Sequence, residues 1–281
     1  MKVLITGDKG FIASNLKNKL EELWTGIEIF GFDEKEYIDG SYLDLSEHKF
    51  EYVFHLAAVA RTVDCTEDPF LRSFNSNIAL TNWVLNLKFD NIIYSSSCAL
   101  YGDQKTFPIT EENIPNPPSI YAAQKYYSEN LIHFHCKNKN KTSVCLRLFN
   151  TYGPGQSQVG SYPNVLASLI KTFKEKKYVE VTGDGNQTRD FVYIDDTVRA
   201  ILKSMRVFDA NKIYNVCSGV ETSIKNLASY ITDDIRYISE RDFDIKKQVA
   251  SYDKINRDLG WVPKHSLFDG IHKTLSSELS T

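Results

Sequence analysis

The chain has 281 residues, of which 42% are apolar and 25% charged, with a formal net charge of -3. At about 150 residues per domain this length gives roughly two domains, or one domain with a lobe built onto it. The composition excludes wholesale disorder, and the balanced charge excludes a basic field that would draw the chain onto nucleic acid or anionic lipid.

Residues 1–6 read as a buried strand carrying Val3-Leu4-Ile5. A turn over 7–10 follows, and Phe11–Leu23 has helical periodicity, with Ile12, Leu16, Leu20 and Leu23 on one face. Residues 27–32 are a second buried strand ending at Asp33; 52–56 and 91–95 are a third and a fourth. A helix over 70–87 lies between those two, and a helix over 119–136 precedes a strand over 143–148. Strands that alternate with helices and are apolar on both faces specify an α/β fold, a parallel sheet covered by helices on both sides. The Pro/Gly-rich stretch 151–163 carries the chain away from the sheet. Beyond it, helices are predicted over 165–174, 194–204, 223–231 and 267–279, with a turn at 183–186 and a strand over 213–216.

No apolar run approaches the roughly 20 residues that span a bilayer. Gly7, Asp8 and Lys9 interrupt the apolar start, so no signal-peptide core is expected. The five cysteines are Cys65, Cys98, Cys136, Cys145 and Cys217, and no two are spaced as a zinc or redox pair. They read as reduced, mostly buried thiols of a cytoplasmic protein, with no metal site.

The turn Gly7-Asp8-Lys9-Gly10 joins the first strand to the first helix, continuing as Phe11-Ile12-Ala13. Glycines there allow a tight turn and a close approach of backbone to a pyrophosphate, and the helix N-terminus offers N–H groups to the phosphates. Asp33 closes the second strand twenty residues past Ala13. Its carboxylate suits the adenosine ribose hydroxyls, which favours NAD over NADP. Further on, Tyr121 and Lys125 are four apart and share a helix face. A neighbouring ammonium lowers the cost of a phenolate, which makes Tyr121 a candidate acid/base. Ser95-Ser96-Ser97 closes the fourth strand, where a hydroxyl can share the substrate proton with that tyrosine.

With these motifs in register, the chain resembles the extended short-chain dehydrogenase/reductase family, in its nucleotide-sugar epimerase/dehydratase branch. The resemblance runs almost the whole length. It passes through Thr6 to Ile12, His55-Leu56-Ala57-Ala58, Asn77 and Thr81, Ser95 to Ser97 ahead of Tyr101-Gly102, and Tyr121 to Lys125. It continues through Arg147-Leu148-Phe149-Asn150-Thr151-Tyr152-Gly153-Pro154, then Gly183-Asp184-Gly185 with Gln187 to Asp196. It implies a Rossmann, doubly wound sheet with a smaller α/β C-terminal substrate-binding lobe. The NAD-binding domain would span 1–155, with a segment near 185–217 returning to it, and the nucleotide-sugar lobe would occupy mainly 156–281.

By the same resemblance, Ser97, Tyr121 and Lys125 are the catalytic residues, Lys125 orienting the cofactor ribose and tuning Tyr121. The implied cofactor set is Gly7, Gly10, Phe11, Ile12, Asp33, Asp44, Leu45, Leu56, Ala57, Ala58, Asn77, Ser95, Tyr121 and Lys125. Asp44 and Leu45 correspond to a pair that contacts adenine. On the substrate side, Ser97 and Tyr121 are joined by Asn150, Arg189, Arg241, Asp244 and Gln248. The two arginines clamp phosphates, Asp244 meets the nucleoside ribose, and Gln248 lines the sugar pocket. Arg61 is a further candidate for the substrate, and His55 reads as a packed strand-end histidine. The resemblance also implies a homodimer through two helices per subunit. The candidates are 70–87, with Ile78 and Trp83, and the Tyr121 helix, with Leu131, Ile132 and Phe134.

Dehydratases of this branch place an Asp-Glu pair directly after the hydroxyl residue, and related decarboxylases keep the Glu. Here the positions hold Cys98-Ala99. The expected reaction is therefore C4 epimerisation of a nucleoside diphosphate sugar, a UDP-hexose for preference. It proceeds by oxidation to the 4-keto sugar, rotation, and hydride return from tightly held NAD. An NADPH-dependent 4-keto-sugar reductase, or a catalytically silent NAD-binding regulatory protein, are the alternatives. Asp33 weighs against the first, and the intact Ser97, Tyr121 and Lys125 against the second.

Overall fold

The computed structural model describes residues 1–33, 44–59, 72–156, 165–208, 211–240 and 245–279. Arg61, Cys65, Arg241 and Asp244 lie outside the described residues.

The first half alternates as its sequence pattern requires. β1 (Lys2–Thr6) leads into α1 (Phe11–Leu23), then β2 (Glu28–Phe32) and β3 (Lys49–His55). A helical stretch over 72–85, α2, precedes β4 (Lys88–Ser97), α3 (Ile120–Lys139) and β5 (Thr142–Leu148). After β5 come β6 (Asn150–Tyr152), α4 (Val165–Lys176), β7 (Val179–Thr182), β8 (Thr188–Arg189), β9 (Phe191–Tyr193) and α5 (Ile194–Ser204). The chain ends with β10 (Lys212–Val216), β11 (Thr222–Ser223), α6 (Ile224–Ser229), β12 (Ile235–Ile238), α7 (Asp253–Leu259) and α8 (Leu267–Leu279).

Six strands pair in the order β10-β5-β4-β3-β1-β2, every neighbour parallel. The chain goes from β1 outward to β2 and then returns to the other side of β1 for β3. That reversal opens a crevice at the C-terminal ends of the strands, where open α/β sheets take their ligands. Strand alternation sends side chains to two separate cores. Val3, Ile5, Phe54 and Ile93 pack with Ala13, Leu16 and Leu20 of α1 and Ile201 of α5. Leu4, Val53, Ile92 and Tyr94 pack with Leu80 and Val84 of α2 and Ile132 and Cys136 of α3. The sheet is thus covered on both faces.

Several expectations shift in detail. β2 buries only Phe32 and is one of the two edge strands among the described residues, so it is not a fully buried strand. The buried stripe of α1 is Ala13, Leu16 and Leu20, while Ile12 is half-buried and Leu23 exposed. The small Ala13 lets the first turn approach the sheet, and this sets which face turns inward. The helix after β3 is not uniform, because Asn75–Ala79 widens to a π-turn between two α-helical pieces. α3 begins where its cap dictates: Ser119 Oγ accepts from Ala122 N at 3.2 Å. Of the expected dimer residues, Ile132 lies in the chain's own core and Trp83 stacks on Phe32 at 4.8 Å between centroids.

The elements without a sequence expectation are β6, β7, β8, β9, β11, β12 and α7. Each strand among them has two to four residues, too short to carry a period. Asp196, buried in the first turn of α5, ties down the C-terminal arm. Its Oδ2 accepts from Lys264 N at 3.0 Å and His265 N at 2.9 Å, and its carbonyl accepts from the Trp261 indole at 3.0 Å. Cys98, Cys136, Cys145 and Cys217 are all free and buried. No helix among the described residues is long and apolar enough to cross a membrane.

Candidate active site

The glycine turn sits at the crevice. Gly7 has φ +69°, and a Cβ there would lie 2.8 Å from the Ala57 Cα, so only glycine fits against that backbone. Its N–H donates to the Phe32 carbonyl at 2.6 Å, which ties the turn to the end of β2 beside Asp33. Gly10 is the N-cap of α1 and supplies no side-chain cap, so the first turn presents backbone N–H groups to the crevice. These features fit a dinucleotide: a side-chain-free cradle, a helix N-terminus for its phosphates and a carboxylate for its ribose. Phe11, Ile12 and Asp33 are half-buried at this opening. Leu45 is buried against the second core, and Asp44 is exposed, its Oδ1 accepting from Ser46 N at 3.0 Å. The hydrogen bonds from Ser46 hold the Asp44 carboxyl below its ordinary value.

The segment after β3 is held from two sides. Thr6 Oγ1 accepts from Leu56 N and Ala57 N, both at 3.2 Å, and lies 2.8 Å from His55 Nδ1. His55 Nε2 lies 2.8 Å from Thr81 Oγ1 on α2. Burial, then the Lys125 charge, lowers the His55 pKa to about 3, so the imidazole is neutral. Asn77, within the π-turn, accepts from Val59 N at 2.9 Å and donates to Val59 O at 3.2 Å and Gln124 Oε1 at 2.7 Å.

β4 and α3 bring the candidate acid–base groups together. Lys125 is buried, donates to the Ser95 carbonyl at 2.6 Å and lies 4.7 Å from the centre of the Tyr94 ring. Burial pulls its ammonium down to about 7, against the opposing pull of Glu129 one turn later. Tyr121 is half-buried one turn before Lys125, near enough to Tyr94 to raise that phenol further. Ser97 ends β4, and its Oγ accepts from Ala99 N at 3.1 Å, capping a short 3-10 turn over Cys98–Tyr101. α3 packs on both β4 and this turn. Beneath lies a buried ion pair: Arg147 donates to Glu129 at 3.1 and 2.9 Å and to Tyr101 Oη at 2.9 Å.

The substrate-side residues gather where β6 pairs with β9. Asn150 Nδ2 donates to Asp190 O at 2.9 Å and to Gln248 Oε1 at 3.2 Å. Arg189 Nη1 donates to Thr188 O and Ile245 O at 2.8 and 2.6 Å. The Cys98 thiol feels the charges of both Arg189 and Asp190, which sets this cluster beside the end of β4. Asp190 itself is no surface partner for Arg189. It is fully buried and accepts from Ser218 N and Oγ at 2.7 Å, Gly219 N at 3.0 Å and Ala250 N at 3.3 Å. Burial pushes its carboxyl up to about 6 against those hydrogen bonds.

Asn150, Arg189 and Gln248 therefore converge, and Ser97, Tyr121 and Lys125 stand on neighbouring elements; Arg241 and Asp244 lie outside the described residues. Sequence reasoning gave no role to Thr6, Gln124, Glu129 or Asp190. Thr6 and Asp190 stood inside quoted motifs. Glu129, one turn after Lys125, carried a helical-spacing signal.

A family model described as the NAD dependent epimerase/dehydratase family matches residues 3–217. The chain is similar to a UDP-glucose 4-epimerase of Mycolicibacterium smegmatis, at 28% identity over 310 residues, 98% of this chain and 97% of that protein. The fold is similar to the crystal structure of UDP-glucose 4-epimerase from Thermotoga maritima with UDP-glucose. The TM-score is 0.89 at 29% identity, covering 100% of this chain and 99% of the other. UDP-glucuronic acid 4-epimerase from Bacillus cereus, in complex with UDP-glucuronic acid and NAD, gives a TM-score of 0.86 at 26% identity, covering 100% and 99%.

Proposed function

Because the chain belongs to the NAD dependent epimerase/dehydratase family, we propose that it inverts C4 of a UDP-sugar, using NAD that it retains through the cycle. The observation that carries this reading is the Cys98-Ala99 pair after Ser97. Cys98 is buried and its thiol is pushed up to about 12 by that burial, so it neither gives nor takes a proton near neutral pH. Ala99 has no proton to give. Neither of the two residues after Ser97 is therefore an acid or base that could expel a water from the keto sugar.

Gly7, Gly10 and the start of α1 would hold the NAD phosphates, and Asp33 its adenosine ribose, where a 2′-phosphate would meet like charge. Bound there, NAD would supply the reversible hydride acceptor for the sugar carbon. Tyr121 takes the C4 hydroxyl proton and gives it back, Ser97 shares that proton, and Lys125 keeps the phenolate affordable in charge. Asn150, Arg189, Arg241 and Asp244 hold the nucleoside diphosphate, arginine forks being suited to phosphate oxygens. Firm grip on the diphosphate leaves the sugar free to turn over. Gln248 meets the sugar ring.

The test is NMR of the purified protein with NAD and a panel of UDP-glucose, UDP-glucuronic acid and UDP-N-acetylglucosamine. One of them is expected to give its 4-epimer at unchanged mass without added reductant. A product lighter by one water, or a strict need for NADPH, overturns the reading.

We further propose a cytoplasmic homodimer. Ile120, Tyr127 and Phe134 recur every seven residues along α3 and are 41%, 54% and 60% exposed, with Phe74 of α2 45% exposed. A second copy would cover this stripe through an isologous contact. Light scattering at micromolar concentration is expected to give twice 32.1 kDa; one subunit's mass rejects it.

A further inference from the structure

Between the glycine turn and α2, five polar groups form a hydrogen-bonded chain, in which only the Thr81 hydroxyl has a second acceptor, Ser128 Oγ at 3.4 Å against the Asn77 carbonyl at 2.9 Å. A threonine hydroxyl has one proton and two lone pairs. Thr6 Oγ1 spends its lone pairs on Leu56 N and Ala57 N, at 3.2 Å each. Its proton therefore points at His55 Nδ1, 2.8 Å away, which must be unprotonated. His55 then carries its hydrogen on Nε2 and donates to Thr81 Oγ1 at 2.8 Å. Thr81 passes its own proton to the Asn77 carbonyl at 2.9 Å. That carbonyl also accepts from Ser128 Oγ at 2.9 Å, and it belongs to the π-turn Asn75–Ala79. The donors thus run one way from β1 through β3 to α2, and end at the Asn77 carbonyl, where Ser128 of α3 donates from the other side.

Its consequence lies at the crevice. Ala57, whose N–H ends the chain, is the residue that occupies the space a Gly7 side chain would need, with its Cα 2.8 Å from that position. If the Thr6 hydroxyl stopped accepting from Leu56 and Ala57, one part-buried and one buried N–H group would lose this partner and the segment would withdraw from the turn.

We propose that His55 is a positioning residue: as a neutral imidazole of fixed tautomer, it orients the Thr6 hydroxyl so that Leu56 and Ala57 stay seated against the phosphate-binding turn. It acts on NAD affinity and takes no part in proton transfer to the sugar. The proposal rests on the NAD site of the preceding section. His55 is buried, with both ring nitrogens within hydrogen-bond distance of threonine hydroxyls.

The two ends of the ring can be tested separately. His55→Asn keeps an acceptor at the δ position for Thr6 and gives up the ε donor. His55→Gln keeps the ε donor for Thr81 and gives up the δ acceptor. NAD titration by intrinsic fluorescence, on protein whose fold is checked by thermal melting, is expected to place His55→Asn within about threefold of wild type. His55→Gln is expected to bind about tenfold more weakly, the scale of a buried hydrogen-bond loss. Should either His55 variant fail to fold, Thr6 provides a smaller change. Thr6→Val removes the hydroxyl at equal shape and is expected to weaken NAD about tenfold, and Thr6→Ser to restore it. At saturating NAD, turnover is expected to stay within about twofold, so that the loss appears in affinity alone. Equal NAD affinity for Asn and Gln at 55, or for Val and Ser at 6, overturns the proposal while the NAD site stands. A wild-type protein that fails to bind NAD overturns both.

Discussion

Tyr121→Phe is expected to lower turnover by about two to four orders of magnitude, the usual worth of a positioned general acid–base group. The change removes one oxygen. The ring remains half-buried on α3, and Lys125 keeps its 2.6 Å bond to the Ser95 carbonyl. What goes is the group proposed to take the C4 proton. Ser97 remains, but a serine hydroxyl is a far weaker base, and its Oγ already caps Ala99 N. Lys125, buried and drawn to about 7, keeps a positive charge over part of the neutral range that then has no phenolate to stabilise. Initial rates at saturating UDP-sugar, with NAD binding measured alongside, decide the matter. Loss of rate with NAD affinity kept supports the assignment. Turnover within a few-fold of wild type removes Tyr121 from the mechanism.

The parts legible in the sequence were those with a period or a motif. Val3-Leu4-Ile5 and Tyr121/Lys125 could be placed because a buried strand and a helix face repeat at known intervals. The limits of Phe11–Leu23, Ile194–Ser204 and Leu267–Leu279 came out as expected for the same reason. Asp33 was found at the end of its strand, but the exposure of β2 was not, since a strand's neighbours are a property of the sheet. The π-turn at Asn75–Ala79 has no local signature, and the Asn77 side chain within it bonds to Val59 and Gln124, both distant in sequence. Trp83 and Ile132 looked like interface residues by composition, and only packing shows that they face the chain's own core. Asp190 illustrates the same limit. Beside Arg189 in sequence it suggests a surface pair, yet its four hydrogen bonds go to residues 28 to 60 positions away.

Arg147→Met is expected to destabilise the fold by about 3–5 kcal/mol, the cost of leaving one member of a buried ion pair without its partner. Arg147 and Glu129 are 4% and 3% exposed, so water cannot reach in to solvate a stranded carboxylate. Such a loss is a large part of the roughly 5–15 kcal/mol that holds a domain folded. Denaturant midpoints with unchanged slope measure it. Replacing both members, Arg147→Met with Glu129→Leu, removes the stranded charge together with its partner and is expected to recover much of the loss. Tyr101 keeps a partner in Asn215 Oδ1 at 2.7 Å, so its hydroxyl is not orphaned in either variant. Function should follow a different order from stability. Arg147 sits opposite Ser96 in the β4–β5 register, Glu129 is one turn past Lys125, and Tyr101 closes the turn that Ser97 caps. The pair thus ties the helix of Tyr121 to the strand end of Ser97. The double variant, although stable, should turn over more slowly than wild type because that tie is gone and the acid–base geometry is free to drift. Stability regained together with full activity would reduce the pair to a structural element; stability regained without activity would make it part of how the site is held.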